Sequence, residues 1–304
     1  MALRELLDRP SPSKWDQFLA SPVLFIANLV YGWSSSLHTG AAIPDKAITV
    51  VCISDTHMSQ PEIPDGDILL HAGDMTQSGS KSEIQETIDW LNRLPHQHKV
   101  VIAGNHDLFL DISFPAANRP SDSCSPRQCI DWGNIIYLEN AGVTLECSGR
   151  KINVFGSPLS PRHGNWAFQY PRKENVWADT IPQNVDILLT HTPPRAHLDL
   201  RFGCEFLLKE LWTLPKKPYL HVFGHIHGGY GQRTAFFDSC QQQYEAIMLG
   251  ATSIGGLLIL LYRYLKLCVL APWSASSPGT RMVNASIVGG VRDELRREPT
   301  VLYI

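Results

Sequence analysis

Ile48-Thr49-Val50-Val51-Cys52-Ile53-Ser54-Asp55-Thr56-His57 decides how the rest of this 304-residue chain is read. Its first six residues carry no charge and are rich in β-branched side chains, the pattern of a strand buried on both faces. Strands of that kind belong to α/β proteins, where helices or a second sheet cover both sides. The run then ends on polar residues able to hold a cation or move a proton. The same grammar recurs along the chain. Asp67–Ala72 leads into Gly73-Asp74, and Lys99–Ala103 leads into Gly104-Asn105-His106-Asp107. Asp186–Thr190 leads into Thr190-His191, and Leu220–Phe223 into Gly224-His225-Ile226-His227.

Between these strands the spacing of Ile84, Ile88, Leu91 and Trp90 or Leu94 predicts a helix over Ser80–Leu94, with Ser82 as its N-cap and Pro95 as its stop. Ile135–Leu138, Val143–Glu146 and Lys151–Phe155 follow one another without a helix between them, and Met282–Val288 and Thr300–Ile304 are late candidate strands. Helical and hairpin-like connections together point to an α/β (α+β) sandwich of mixed sheets. Residues 1–46 form an extension, broken by Pro10, Pro12 and Pro22, with a short apolar helix at Val23–Tyr31 and a polar linker at Ser34–Gly40. Residues 47–304 form the main domain, with a hydrophobic insertion around 246–273.

Composition narrows the function. Hydrophobic residues make up 44% and charged residues 18%, which is globular rather than disordered. The net charge of −3 leaves no footprint for general nucleic-acid binding. Seven scattered cysteines without a C-x-x-C pair argue against a disulfide framework and make a reducing, cytoplasmic setting the default. Met1–Trp15 lacks the apolar core of a secretory leader. Ala246–Tyr262 carries no charged residue, and two readings of the insertion stand open. It is a core helix, or it lies on a membrane through residues 255–270 with Arg263 and Lys266 toward headgroups.

The five polar clusters carry the chemistry. An Asp after one strand is usually a turn residue, and a lone His is usually structural. Five such clusters in order, each at a strand end, are another matter, because ligands in open α/β sheets gather at the carboxyl ends of strands. Carboxylate, imidazole and amide oxygen together suit divalent ions of borderline hardness. In an extended segment residues i and i+2 face the same way, so Asp55 with His57, and His225 with His227, can each grip one ion or two neighbouring ions. His71 and His221 lie inside strands and read as structural; His96 and His98 flank a strand start and read as solvated.

In these motifs the chain resembles the calcineurin-like metallophosphoesterases, whose pattern is D-x-H, G-D, G-N-H-[DE], a later H, and G-H-x-H. Ile63–Ile68, Gly156-Ser157-Pro158 with Trp166-Ala167-Phe168, and Asn284-Ala285-Ser286 add to the resemblance, which runs from about Lys46 to the C-terminus. It implies a four-layer α/β/β/α sandwich of two mixed sheets. It implies two divalent ions (Mn, Fe, Zn or Mg): Asp55, His57 and His227 on the first, Asn105, His191 and His225 on the second, and Asp74 bridging both. It implies His106 as the catalytic group at the leaving oxygen, oriented by Asp107. The reaction implied is hydrolysis of a small phosphate ester, a phosphodiester such as a cyclic nucleotide or a phosphomonoester, by hydroxide formed at the metal pair. Arg162, His163 and Trp166 are candidate substrate-lining residues, although Trp166 and Phe168 also read as core. Two alternatives are kept: a membrane-associated phosphatase acting on lipid or protein phosphate, and a non-catalytic scaffold of the same fold.

Overall fold

The computed structural model describes residues 13–38, 46–114, 125–270, 279–290 and 293–304. The chain start through Pro12, the end of the expected linker at Gly40, and residues 271–273 of the insertion lie outside the described residues. In chain order the elements are α1 (Lys14–Ala20), α2 (Pro22–Ser36), β1 (Thr49–Ile53), β2 (Ile68–His71), α3 (Lys81–Asn92), β3 (His98–Val101) and β4 (Ile135–Tyr137). Next come β5 (Ala141–Cys147), β6 (Arg150–Ser157), β7 (Ser160–Pro161), β8 (Gln169–Tyr170), β9 (Ile187–Thr190), α4 (Glu205–Thr213) and β10 (Leu220–Phe223). The last are β11 (Gly231–Ala235), α5 (Ser239–Met248), α6 (Ile254–Leu270), β12 (Thr280–Asn284), β13 (Val288–Gly289), β14 (Glu294–Leu295) and β15 (Thr300–Tyr303). These fall into two compact units, Ile43–Arg233 with Met282–Ile304, and Met1–Ala42 with Thr234–Arg281.

The larger unit is a mixed α/β fold. One sheet has the order β15-β1-β2-β3-β4, with β1 to β4 parallel and β15 antiparallel to β1. The second has the order β11-β12-β10-β9-β6-β5, with β10, β9 and β6 parallel and β5 antiparallel to β6. Alternation along the strands assigns each side chain to a layer. Val50, Cys52, Ile68, Leu70 and Val100 meet Val154, Ile187, Leu189, Leu220 and Val222 in the core between the sheets. Val51, Ile53, Leu69 and Val101 point the other way and pack with Ile84, Ile88 and Leu91 of α3. Phe155, Leu188 and Phe223, out of phase with the inter-sheet set, are buried as well, as a sheet covered on both faces requires. Each such side chain contributes roughly 1.5–3 kcal/mol on burial.

Ser80, not Ser82, caps α3: its Oγ accepts the Glu83 N–H at 3.3 Å while Glu83 accepts the Ser80 N–H at 3.4 Å. This choice puts the Glu83 charge in the first turn, where the helix dipole favours it. His96 also departs from expectation. It is buried, with Nε2 on the Pro64 carbonyl at 3.0 Å.

The smaller unit is helical. α2 runs past the expected Tyr31 to Ser36, because Ser34 and Ser35 donate their hydroxyls back to the Tyr31 carbonyl at 2.8 and 3.0 Å and so remain in the helix. Tyr31 stacks on Tyr244 of α5 at 4.2 Å, and the Tyr244 hydroxyl donates to Asn28 at 2.9 Å. The apolar run beginning at Ala246 is two helices rather than one. α5 ends at Met248, Gly250 turns with φ 77°, and α6 starts at Ile254. Cys52, Cys147, Cys204, Cys240 and Cys268 are free, whereas Cys129 is disulfide-bonded.

Candidate metal centre

Strand ends from both sheets deliver the polar clusters to one place. β1 delivers Asp55 and His57, β2 Asp74, and β3 Asn105 to Asp107; β9 and β10 deliver His191, His225 and His227. A parallel bridge between Ser54 and Ser286 joins the loop after β1 to the loop after β12. Two groups result, Asp55-His57-His227 and Asp74-His191-His225, each with ligand-type atoms within 4.8 Å of one another. The partition is finer than strand alternation suggests. Asp55 (φ 52°), His57 (φ 43°), Asp74 (φ 54°) and His225 (φ 67°) are all left-handed rather than extended, so tight turns and not pleating aim them. His225 and His227 accordingly serve different groups.

Asp74 lies between the groups. Its Oδ2 is 3.4 Å from His191 Nε2 and 3.9 Å from His57 Nε2, while its Oδ1 accepts the His106 N–H at 2.7 Å. Asn105 Oδ1 stands 3.0 Å from His191 Nε2, which places it with the second group. Asp55 accepts the His225 N–H at 3.0 and 3.1 Å and the Ser286 hydroxyl at 2.8 Å, and its Oδ1 is 3.2 Å from His227 Nε2. Burial alone would raise both aspartates, but the neighbouring histidines overcome it and hold Asp55 and Asp74 well below the usual carboxylate range. Burial likewise works against a charge on His191, yet the facing Asp74 pushes it up to about 9. Burial, with His191 nearby, pushes His225 down to about 3.

Divalent cations fit this arrangement. His57 is almost fully buried, yet neither ring nitrogen has a hydrogen-bond partner among the described residues. A buried imidazole without partners is costly unless something else takes its lone pair. Two buried carboxylates and several imidazoles make a donor set of borderline hardness, open to Mn, Fe, Zn or Mg. The backbone is drawn tight around it. A Cβ on Gly224 would strike Asp55 Oδ2 and Ser54 Oγ, and one on Gly104 would strike Asp74 Oδ1.

His106 stands at the edge of the centre, its ring 4.7 Å from that of His57 and stacked on Trp166 at 4.3 Å. Its Nδ1 lies 3.1 Å from the Gln77 carbonyl, which can only accept, so Nδ1 carries a proton and Nε2 is left for chemistry. Asp107 does not orient this ring, contrary to expectation. Its two oxygens accept the N–H groups of Gly104, Met75 and Thr76 and the Thr76 hydroxyl, at 2.7, 3.3, 3.0 and 2.8 Å. It is a buried clamp on the loops that present Asp74 and Asn105, and burial together with the Asp74 charge pushes it up to about 6.

Of the expected substrate-lining residues, His163 packs its ring 4.8 Å from His225, and Trp166 is 36% exposed over His106. Phe168 is core. Arg162 is exposed, its N–H on the Tyr170 carbonyl at 2.8 Å, and no described contact brings its side chain to either group. Residues not singled out as site residues also take part. Ser286 holds Asp55, Asn284 donates to the Ile226 carbonyl at 2.9 Å, and Asp293 lies 3.5 Å from His227 Nδ1. The Asn284-Ala285-Ser286 phrase was the available signal for two of them. His71 is structural, as expected, bracing the first loop through Thr56 at 3.0 Å.

A protein of Emericella nidulans named probable rhamnogalacturonate lyase C is 47% identical over 288 residues, 94% of this chain but 27% of that protein. Human metallophosphoesterase domain-containing protein 1 is 40% identical over 204 residues, 60% of this chain and 61% of that one. The chain thus spans about a quarter of the first relative's length and under two thirds of the second's. A solved structure of phosphopantetheinyl hydrolase from Mycobacterium tuberculosis covers 62% of this chain and 86% of its own, at 20% identity and a TM-score of 0.38. The family model for calcineurin-like phosphoesterases matches residues 48–229, more than half of the sequence and all seven ligand-type side chains. The chain belongs to the calcineurin-like phosphoesterase family.

Proposed function

We propose that this chain is a metal-dependent phosphoesterase that hydrolyses small phosphate esters, phosphodiesters or phosphomonoesters. The observation that carries the reading is the position of Asp74 Oδ2, facing His57 of one group and His191 of the other at 3.9 and 3.4 Å. A carboxylate there can serve two cations at once. Asp55, His57 and His227 would hold one ion; Asn105, His191 and His225 would hold the second. Bound there, two divalent ions would supply Lewis acidity toward a phosphoryl oxygen and lower the pKa of a water between them. The chain's own residues do the rest. Asp55 and Asp74 stay ionised and offset the cations. Ser286 and the His225 N–H fix the Asp55 carboxylate. His106, its Nδ1 occupied by Gln77, presents Nε2 to protonate or stabilise the departing oxygen. Trp166 holds the His106 ring by stacking and offers a partly exposed aromatic edge to the substrate.

The test is hydrolysis of a panel of chromogenic phosphate monoesters and diesters by protein reloaded with Mn²⁺. His106→Ala and Asp74→Asn should each lower turnover by at least about a hundred-fold, the usual scale for positioned acid–base groups. Metal content should survive the first change better than the second. Wild-type turnover by both variants after reloading would remove the assignment. The lyase name of the fungal relative belongs to a much longer protein, and nothing in this centre calls for that reaction.

A second reading concerns location and is favoured by the smaller unit. On α6, Ile254, Leu258, Tyr262, Leu265 and Val269 are 61–66% exposed and recur every three to four residues, with no acid in the helix. Arg263 and Lys266 flank this stripe, and Trp15 of α1 is 67% exposed. We propose that this face rests on an anionic lipid surface; no helix among the described residues is long and apolar enough to cross a membrane.

A further inference from the structure

A cavity of about 580 Å³ opens in the larger unit, lined by Arg172, Lys173, Arg195 and Arg201 together with Phe202 and Glu205. In a chain of net charge −3 that concentration of cations is not background. Two acids oppose four bases: Glu205, and Asp199, which pairs with Arg195 at 3.3 Å. The remaining cations are exposed to solvent. Arg172 is pinned by the carbonyls of Phe202 and Gly203 at 3.2 and 3.4 Å, which leaves further guanidinium N–H groups free. Lys173 and Arg201 have no ion-pair or hydrogen-bond partner among the described residues. The loop that carries Arg201 is held against its own preference. Ala196, Leu198, Leu200 and Arg201 have φ of 72°, 51°, 44° and 73°. Non-glycine residues adopt such angles at a cost of order 1 kcal/mol or more each, and the loop keeps them through ties from Cys204 to Pro193 at 2.9 Å and from Gly203 to Asp199 at 3.0 Å. Strain maintained in this way, around unpaired cations in a concave site, is what a binding loop requires.

Two segments of the chain link the cavity's lining to the metal centre. Its loop leaves His191 and reaches Arg195 four positions later. Pro161 also lines the cavity, and the Pro161 carbonyl meets Nδ1 of His163 at 3.3 Å, whose ring packs on His225. Phe202, 62% exposed, adds an apolar wall.

We propose that this cavity holds a second phosphate of the same molecule whose ester is cut at the metal centre, so that the preferred substrates are organic bisphosphates with a ring or other apolar portion against Phe202. The substrate half of this assignment rests on the phosphoesterase reading; the anion site does not. Two measurements separate them. Inorganic pyrophosphate is titrated calorimetrically into metal-free wild-type chain and into Arg201→Glu, a change that removes no hydrogen bond or ion pair among the described residues, with Arg172→Ala/Arg201→Ala as the stronger variant. Saturable binding that weakens at least about ten-fold in both variants, the scale of a lost charge-assisted bond, supports the site. No binding, or equal affinity in the variants, overturns it. On the metal-loaded enzyme, kcat/KM is then compared for a nucleoside 3′,5′-bisphosphate and the nucleoside monophosphate. A preference for the bisphosphate of about ten-fold or more, collapsing in Arg201→Glu, supports the substrate class; no preference, or one that survives the change, overturns it. If neither ester is hydrolysed while pyrophosphate still binds, the substrate class fails and the anion site stands; the phosphoesterase reading fails as well only if the chromogenic monoesters and diesters are also left intact.

Discussion

Gly224 shows how closely the residues around Asp55 are fitted. Its backbone does not need glycine's freedom of φ; the position needs the absence of a Cβ, because Asp55 Oδ2 and Ser54 Oγ occupy that space. Gly224→Ala should therefore displace the Asp55 carboxylate and lower metal affinity about 10–100-fold, the range for losing the support of a ligand. Equilibrium dialysis would show this, with an unchanged circular dichroism spectrum showing that the fold survives. Every ligand-type residue was legible by type and order in the sequence. The left-handed turns at Asp55, His57, Asp74 and His225 were not, because only the surrounding packing can hold non-glycine residues there. Nor was the role of Asp107 legible: an acid beside a histidine invites pairing, but burial beneath three backbone N–H groups redirected it.

His221 sets a second expectation at this scale. It is fully buried, its Nε2 on the Thr190 hydroxyl at 2.8 Å, and burial, with His197 nearby, pushes its pKa from 6.5 down to about 3. The unfolded chain takes up a proton below 6.5 that the folded chain refuses. The resulting stability is complete above pH 6.5 and is lost as pH falls from 6.5 toward 3, at up to about 1.4 kcal/mol per pH unit. Urea melts of metal-free protein between pH 7 and 4 should show this slope, and His221→Gln should flatten it. An unchanged slope in that variant would mean that other groups govern the acid limb.

At the scale of elements, the strands of the larger unit were legible because their two-faced apolar character has one interpretation in a covered sheet. Boundaries moved by a residue or two where pairing and not composition sets the end, as in β5, which extends to Ala141–Cys147 because all seven of its residues pair with β6. The short β7 and β8 were missed, since two-residue pairings leave no periodicity. The helices behaved differently. Their apolar runs were visible, but the break at Gly250 and the continuation of α2 through its serines depend on local hydrogen bonds. The exposed stripe of α6 yields the prediction that belongs here. Leu258→Glu/Leu265→Glu should abolish co-sedimentation with vesicles of phosphatidylcholine and phosphatidylserine while leaving metal content intact. Equal binding by variant and wild type would remove the lipid role from this face.

For the whole molecule, the account reduces to two sheets whose strand ends converge on two groups of side chains able to hold cations. The resemblance in five short motifs anticipated this convergence, and the paired groups at the ends of β1, β2, β3, β9 and β10 supply the geometry. The basic cavity beside them had no counterpart in the sequence, because Arg172, Arg195 and Arg201 are scattered and only the fold collects them. The most direct measurement is the metal stoichiometry of purified chain, stripped and then reloaded with Mn²⁺, for wild type and Asp74→Asn. Two equivalents in wild type and at most one, weakly held, in Asp74→Asn is the predicted result. A single equivalent in wild type, or two in the variant with unchanged affinity, would contradict a shared carboxylate at the heart of the site.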